Sequence, residues 1–344
     1  MIILAIESSC DDTCVAILKD KEILSNVVSS QIEFHNKYGG VMPELASRLH
    51  VEKISYVIKE AIFKANIELK DVDYIAFTVG PGLVGSLHVG MQAAKTLALI
   101  LNKPLVPIHH LAGHIYANRF VKEFKFPLLA LVVSGGNTEL VYMEDEMKFK
   151  IIGQTLDDAI GEAYDKVSRY LGTGYPGGPI IDKLAHQGSN IYKLPLPKND
   201  DSLDFSYSGL KSAVINLCHN MEQKKVEYKK EDIAASFQET ATEILVRKVK
   251  IALDRYSDVK TFVAAGGVSA NSGLRDKLTT LLDKKYPTVE LILPKLALCG
   301  DNAAMIGMCA YYKIIANDYN NDLSISAIAQ YELEDFSNNI YEEK

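Results

Sequence analysis

The sequence predicts an α/β protein made of two similar halves. Three observations carry this. Apolar, β-branched runs alternate with longer segments of helical periodicity. "LAIESSCDDTCVAIL" and "LALVVSGGNTELVYM" both run apolar strand, small polar turn, Thr, apolar strand. "YIAFTVGPGLVGSLHVGMQAAKTLA" and "TFVAAGGVSANSGLRDKLTTLL" both run strand, glycine-rich loop, helix. Self-similarity of this kind marks an internal duplication. At about 150 residues per domain, 344 residues suit two domains. The boundary is expected near residues 120–126.

The elements follow in order. "MIILAIESSC", "DDTCVAILKD" and "KEILSNVVSS" read as three strands of an antiparallel meander, with turns at 11–12 and 19–22. Residues 43–65 carry apolar positions at helical spacing, with Pro43 near the start, and predict one long helix. "VDYIAFTVG" is a buried strand, followed by a glycine-rich loop and a helix to about Leu101. "KPLVPI" is a short strand, and the cluster His109, His110, His114 begins the next helix. "FPLLALVV", "TELVYM" and "FKIIGQT" form the second set of strands. "YLGTGYPGGPIIDKLAHQG" and "LPLPKNDDSLDFSYSGLKSAV" are less regular, the latter leading into a helix. Residues 219–232 read as a solvated connection. Residues 232–253 form an amphipathic helix with Asp232 as its N-cap. The chain after Ala329 is acidic and expected to fray. The expected domains are 1–122, completed by the C-terminal helix after about 300, and 123–330 with inserted helices. Residues 331–344 form an acidic tail.

Composition narrows the function. The chain is 48% apolar, ample for buried cores, without a sustained apolar stretch of about 20 residues, so no transmembrane helix is expected. The opening strand lacks the basic flank of a signal peptide. Five cysteines, none in C-x-x-C spacing, argue against a disulfide framework and for a reducing cytoplasm. A net charge of −7 argues against broad, autonomous nucleic-acid binding.

Several motifs carry chemistry. His110 and His114, four apart, share one helix face and could both present nitrogens to a metal; packing is the alternative. A zinc protease has Glu directly after the first His, where this chain has Leu111. Asp301, in the turn "CGDNAAM", is a third ligand or the N-cap of the following helix. "VSGGNTEL" and "AAGGVSANSG" are simple turns, or loops whose backbone N–H groups approach a phosphate or carboxylate. Their matching places in the two halves favour a nucleotide cleft between the halves. "ESSCDDT" clusters three carboxylates, as a solvated hairpin tip or as general-base and coordinating groups. Asp158, Glu162 and Asp165 stand at helical spacing, as a solvated face or a polar pocket wall in which Asp165 accepts from a ribose hydroxyl or an amine.

Ten motifs occur in one order: "ESSCDDT", "GGVMPELASRLH", "GPGLVGSLHVG", "HHLAGH", "SGGNTEL", "DDAIGEAYDKV", "YPGGP", "FSYSGLK", "GGVSAN" and "CGDNAAM". In this the chain resembles the bacterial tRNA adenosine threonylcarbamoyltransferases, from about residue 2 to about residue 310. The resemblance implies a duplicated two-domain α/β fold of the actin, Hsp70 and sugar-kinase type, with a nucleotide cleft. It implies transfer of a threonylcarbamoyl group from threonylcarbamoyl-AMP to the exocyclic amine of the adenosine just 3′ of the tRNA anticodon. It implies one metal ion, iron or zinc, on His110, His114 and Asp301, with His109 in support. It places the adenylate on Val133, Ser134, Gly135, Gly136, Asn137, Asp165, Gly178 and Asn271. Asp11 and Asp12 match the acidic pair needed for transfer, with the proton acceptor open between them. The implied partners are tRNA, a smaller homologous subunit forming a heterodimer, and a small P-loop ATPase, in the cytoplasm and with no membrane.

The chain departs from that pattern at Asn137, where the family usually has His, and at Ala112, where it usually has Glu. Losing that Glu removes a carboxylate that could tune metal affinity. Three other readings compete. A small-molecule kinase of the same fold does not explain the paired histidines. A metallopeptidase, an old label for the family, lacks the expected Glu. A non-catalytic scaffold subunit would lack the histidine pair and "GGVSAN…CGDNAAM", all present here.

Overall fold

The computed structural model describes residues 1–319 and 321–341. Three strands open the chain: β1 (Ile2–Glu7), β2 (Asp12–Lys19) and β3 (Glu22–Ser30). Their apolar runs are almost wholly buried in β1 and β2, so both faces of these strands are covered. A short helix, α1 (Ile32–Asn36), precedes α2 (Pro43–Ala65). Pro43 suits the first helical position, and α2 ends at Asn66 in the left-handed region. Then come β4 (Tyr74–Gly80), α3 (Val84–Leu101), β5 (Leu105–His109) and α4 (His110–Tyr116).

A second series follows: β6 (Leu128–Val133), β7 (Thr138–Met143), β8 (Phe149–Gln154), α5 (Ile160–Tyr170), α6 (Gly177–Ala185), α7 (Ser208–Gln223), α8 (Lys230–Arg255), β9 (Thr261–Ala265), α9 (Ser272–Lys285) and β10 (Glu290–Ile292). The chain ends with α10 (Ala303–Ile315) and α11 (Leu333–Ser337).

The sheets show the duplication. One has the order β3-β2-β1-β4-β5, the other β10-β9-β6-β7-β8. β1 is antiparallel to β2 and parallel to β4, which is parallel to β5. β6 is likewise antiparallel to β7 and parallel to β9, which is parallel to β10. Each half is therefore one five-stranded sheet of the same strand order.

The residues form two compact units: unit 1 is 1–123, 147–149 and the chain from Pro294 onward; unit 2 is 124–146 and 150–293. This differs from the expected second domain of 123–330, because residues from Pro294 pack with the first sheet. The reason is α10, whose residues Ala303–Ala310 are all buried and which packs on β1 and β2. Gly307 allows the approach, since a Cβ there would lie 2.6 Å from Leu18 Cδ1. The expected fraying tail is also corrected: Tyr331, Leu333 and Phe336 are buried. Residues 342–344 of that tail lie outside the described residues.

Three local expectations need correction. Asp232 does not cap α8, which starts at Lys230; its carboxylate accepts from Ser189 N–H at 2.8 Å. The 219–232 connection is mostly helix, because α7 runs to Gln223. Asp158 precedes α5 rather than sharing its face, and it pairs with Lys166 and Lys211.

By length and composition alone, α3 could cross a membrane. It packs against β4 and β1, with Leu87, Gly90, Met91, Ala94 and Ala98 buried.

Candidate metal centre and glycine-rich loops

Unit 1 gathers its chemistry where parallel strands end. β1, β4 and β5 are adjacent and parallel, and sites in α/β sheets form beyond the carboxyl ends of such strands. Glu7 ends β1, Thr78 lies near the end of β4, and His110 follows β5 as the first residue of α4. His114, one turn on, faces the same way. Their rings stand edge to face, with centroids 4.7 Å apart.

Asp301 completes the group. Its Oδ1 lies 3.1 Å from His114 Nε2 and 3.5 Å from His110 Nε2. One donor atom from each residue lies within 4.8 Å of the others. Asp301 is not the cap of α10. Asn302 is, accepting from Met305 N–H at 3.0 Å, which leaves the Asp301 carboxylate for the histidines.

Behind His110 sits Glu7, fully buried. Its Oε2 is 3.0 Å from His110 Nδ1 and accepts from the Thr78 hydroxyl at 2.5 Å. Its Oε1 accepts from Ser9 N–H at 2.5 Å. With Nδ1–H donated to Glu7, Nε2 is the nitrogen that faces Asp301, and it carries the lone pair once the ring is neutral. A carboxylate–histidine pair of this kind fixes the tautomer of the ring, which suits His110 as a candidate ligand. Ala112 is buried, and the carboxylate on His110 comes from Glu7 rather than from α4. Sequence reasoning placed Glu7 in a general acidic cluster and missed this role. The available signal was an acid ending a wholly apolar strand.

The electrostatics agree. Burial alone would lower the His110 pKa, but the Glu7 and Asp301 carboxylates outweigh it and hold it up at about 9. Burial would raise Asp301, and His110 and His114 outweigh that, holding it down at about 2. Burial keeps His114 below its ordinary value. Two imidazoles and one carboxylate are a donor set for zinc or non-haem iron. His114 Nδ1 is a buried polar atom with no hydrogen-bond partner among the described residues. The residues therefore fit a metal.

His109 does not support them as expected. Its Nδ1 accepts from Leu111 N–H at 3.1 Å, capping α4, and its Nε2 donates to Tyr331 O at 2.9 Å. Both nitrogens are spent on backbone, and burial pushes its pKa down to about 3.

Asp11 ends the turn between β1 and β2, and Asp12 is the first residue of β2. Burial raises both pKa values, that of Asp12 to about 7, with the Asp301 carboxylate adding to the shift.

Both glycine loops lie in unit 2, after the neighbouring parallel strands β6 and β9, and not in matching places of the two halves as expected. Ser134–Asn137 is a tight turn joining β6 to β7, closed by Ser134 N–H to Asn137 O at 2.9 Å. Gly266, with φ +88°, follows β9 beside it, and a Cβ there would lie 2.4 Å from Val133 O. Gly161 in α5 donates its N–H to Ser134 O at 3.2 Å. By contrast, a Cβ on Gly135, Gly136, Gly178 or Gly267 would meet nothing within 4 Å. Their backbones are open to a ligand's approach. Asn137 is turned aside, donating to Glu139 at 2.8 Å.

The other expected residues of this site are tied into the protein. Asp165 Oδ1 accepts from Gly177 N–H at 2.6 Å and holds the start of α6. Asn271 caps α9 through Leu274 N–H and donates to Gln238 at 2.8 Å and Asp182 at 3.2 Å. Asp182 also accepts from Ser272 Oγ at 2.8 Å, which joins α6 to α9. It was not singled out from sequence, because "IIDKLA" reads as ordinary helix.

Fold and sites together define a duplicated α/β protein with a two-histidine, one-carboxylate cluster. Known structures agree on the fold. The nucleotide-bound form of full-length HypF superposes with a TM-score of 0.60 at 13% identity, covering 93% of this chain and 47% of that one. Component A of the Acidaminococcus fermentans (R)-2-hydroxyglutaryl-CoA dehydratase superposes at 0.55 and 17% identity, covering 92% and 99%. These likenesses speak to fold alone. The profile of the tRNA N6-adenosine threonylcarbamoyltransferases matches residues 22–308. A Listeria welshimeri protein of that description is 57% identical over 307 residues, 89% of each chain. A Bacillus cereus one is 58% identical over 315 residues, 90% of this chain and 91% of that. The chain belongs to the tRNA N6-adenosine threonylcarbamoyltransferase family.

Proposed function

We propose that this chain transfers the threonylcarbamoyl group of threonylcarbamoyl-AMP to the exocyclic amine of adenosine 37 in tRNAs that read codons beginning with adenine. Membership in the family carries the reading. The donor is a mixed anhydride, already activated, so the reaction needs no protein nucleophile. The amine attacks the carbamoyl carbon, a C–N bond forms, the C–O bond to phosphate breaks, AMP departs, and one amine proton must leave.

Asp12 is the proposed acceptor of that proton. A carboxylate held near neutrality by burial is well matched to general-base work at pH 7. Asp11, beside it, is the second acid of the transfer pair. His110, His114 and Asp301 would hold one ion, iron or zinc. When bound it supplies Lewis-acid polarisation and a fixed point for orienting the donor. Glu7 orients His110 for this task. In unit 2 the open backbone of Gly135, Gly136 and Gly178, with Val133, Ser134 and Asn137, is the proposed adenylate seat. Asp165 and Asn271 hold its walls. Positioning of this kind supplies much of an acyl transfer's acceleration.

The acidic chain is proposed to work in the cytoplasm with a smaller homologous subunit, as a heterodimer, and with a small P-loop ATPase. Its net charge of −7 supports the need for a partner at the tRNA.

Mass spectrometry of tRNA nucleosides tests the reading. Purified chain, partner subunits, threonylcarbamoyl-AMP and unmodified tRNA are mixed, alongside a His110→Ala/His114→Ala variant. Threonylcarbamoyladenosine in the first tube and little in the second is expected. Equal product in both would remove the histidines from the site. No product with competent partners would remove the transferase reading.

A further inference from the structure

The turn that carries Asp11 and Asp12 is held at three consecutive carbonyls, each by a different element. Ser9 O accepts from Leu83 N–H at 2.8 Å, just before α3, and Asp11 O accepts from Gln31 N–H at 3.1 Å, just after β3. Between them, Cys10 O lies 3.0 Å from His50 Nε2, which projects from α2. The other nitrogen of that ring, Nδ1, lies 2.7 Å from Thr13 Oγ1. A carbonyl only accepts, so Nε2 carries the proton, and Nδ1 then accepts from the Thr13 hydroxyl. One tautomer satisfies every polar atom of a fully buried ring. Burial lowers the pKa of His50, which keeps the ring in that neutral form.

The ring therefore spans the turn from residue 10 to residue 13, with the two acids between its contacts. The two flanking carbonyls are held by backbone N–H groups, which any residue but proline supplies. The middle one depends on a side chain. Thr13 and His50 face each other inside unit 1 and touch none of the three candidate ligands through a hydrogen bond among the described residues.

We propose that His50 is a positioning residue for the transfer: through Cys10 O and Thr13 it fixes the turn that aims Asp11 and Asp12. This rests on the function proposed above. His50 is not placed in contact with either substrate. Its loss should therefore be felt in the chemical step and not in the binding of the adenylate or the ion.

Three variants separate the contacts. His50→Gln sets an amide N–H near the place of Nε2 and keeps the Cys10 contact. His50→Asn keeps only an acceptor near Nδ1, and His50→Ala removes both. Cys10 supplies an independent probe, as the one partly exposed cysteine among five. Burial and the neighbouring Asp11 push its thiol pKa well up, so a closed turn reacts slowly with an alkylating reagent. A turn that opens locally reacts faster.

The assembled enzyme with its partners is assayed for kcat, KM for the adenylate, metal content and the rate of Cys10 alkylation by N-ethylmaleimide. His50→Ala and His50→Asn are expected to lose about 10–100-fold in kcat, with KM and metal content within about twofold of the parent, and His50→Gln to stay within about threefold. Cys10 should alkylate faster in the first two variants only, while the four buried cysteines stay unmodified. Full kcat in His50→Ala, a His50→Gln as impaired as His50→Ala, or equal alkylation rates would each overturn the proposal. If the parent enzyme forms no product, the transferase reading fails by itself. The alkylation rates then still decide whether His50 holds the turn.

Discussion

Glu7 decides how His110 can act. Because it accepts from Nδ1, the outward nitrogen is Nε2, and the imidazole keeps its proton to about pH 9 in the metal-free protein. A metal binds only the deprotonated nitrogen, so ion uptake displaces a proton and apparent affinity rises with pH up to about 9. Titration calorimetry in two buffers of different ionisation heat should show this release; identical heats would contradict it. Glu7→Gln should weaken metal affinity by about 10–100-fold, read by competition with a chromogenic chelator. Asp12 gives a second pH dependence with its own sign. Its carboxyl must be ionised to take a proton, so transfer should rise as pH climbs through about 7 and level off above. A rate flat from pH 5 to 9 would exclude Asp12 as the acceptor. At this scale the sequence was partly legible. Helical spacing showed that His110 and His114 share a face, and a tight polar turn singled out Asp301. Glu7 and His50 were not legible in these roles, because both work through contacts between elements far apart in sequence.

Among the elements, strands were the easiest to read. β1, β2, β4 and β6 are buried on both faces, and such strands appear as short, continuous apolar runs. α2 was legible end to end through Pro43 and its periodicity. α6 was hidden in a glycine- and proline-rich stretch, because its first residue, Gly177, meets backbone. A Cβ there would lie 2.4 Å from Tyr164 O. The misassigned cap at Asp232 shows the opposite error, a good capping residue recruited elsewhere by Ser189. Close approach also governs α3. A Cβ on Gly90 would lie 2.3 Å from Ser8 Oγ and 3.2 Å from Ser8 Cβ. Gly90→Ala should therefore cost about 1–3 kcal/mol in urea denaturation, as overpacking does. It should also lower activity by shifting the residue next to Ser9, whose N–H holds Glu7. An unchanged midpoint would mean that α3 moves away freely.

The whole molecule repeats one five-stranded plan, and the repeat was visible in the paired motifs before any coordinate. The chain returns to unit 1 through α10, an apolar helix whose residues Ala303–Ala310 are all buried. Charge sets the remaining prediction. At −7, the isolated chain should bind tRNA weakly at physiological salt and gain affinity when its smaller partner is added. Filter binding with and without that partner reads the difference, and tight binding by the chain alone would show a local basic surface sufficient by itself.

The discontinuity of unit 1 has a consequence in time. A ribosome makes His114 early and Asp301 187 residues later, with all of unit 2 synthesised between them. The nascent chain thus exposes two histidines that lack their carboxylate for most of its elongation. α10, which packs on the first sheet, also arrives after all of unit 2. A metal bound as proposed would therefore find its full ligand set only late in synthesis, and a chain broken off before Pro294 carries two of the three candidate ligands.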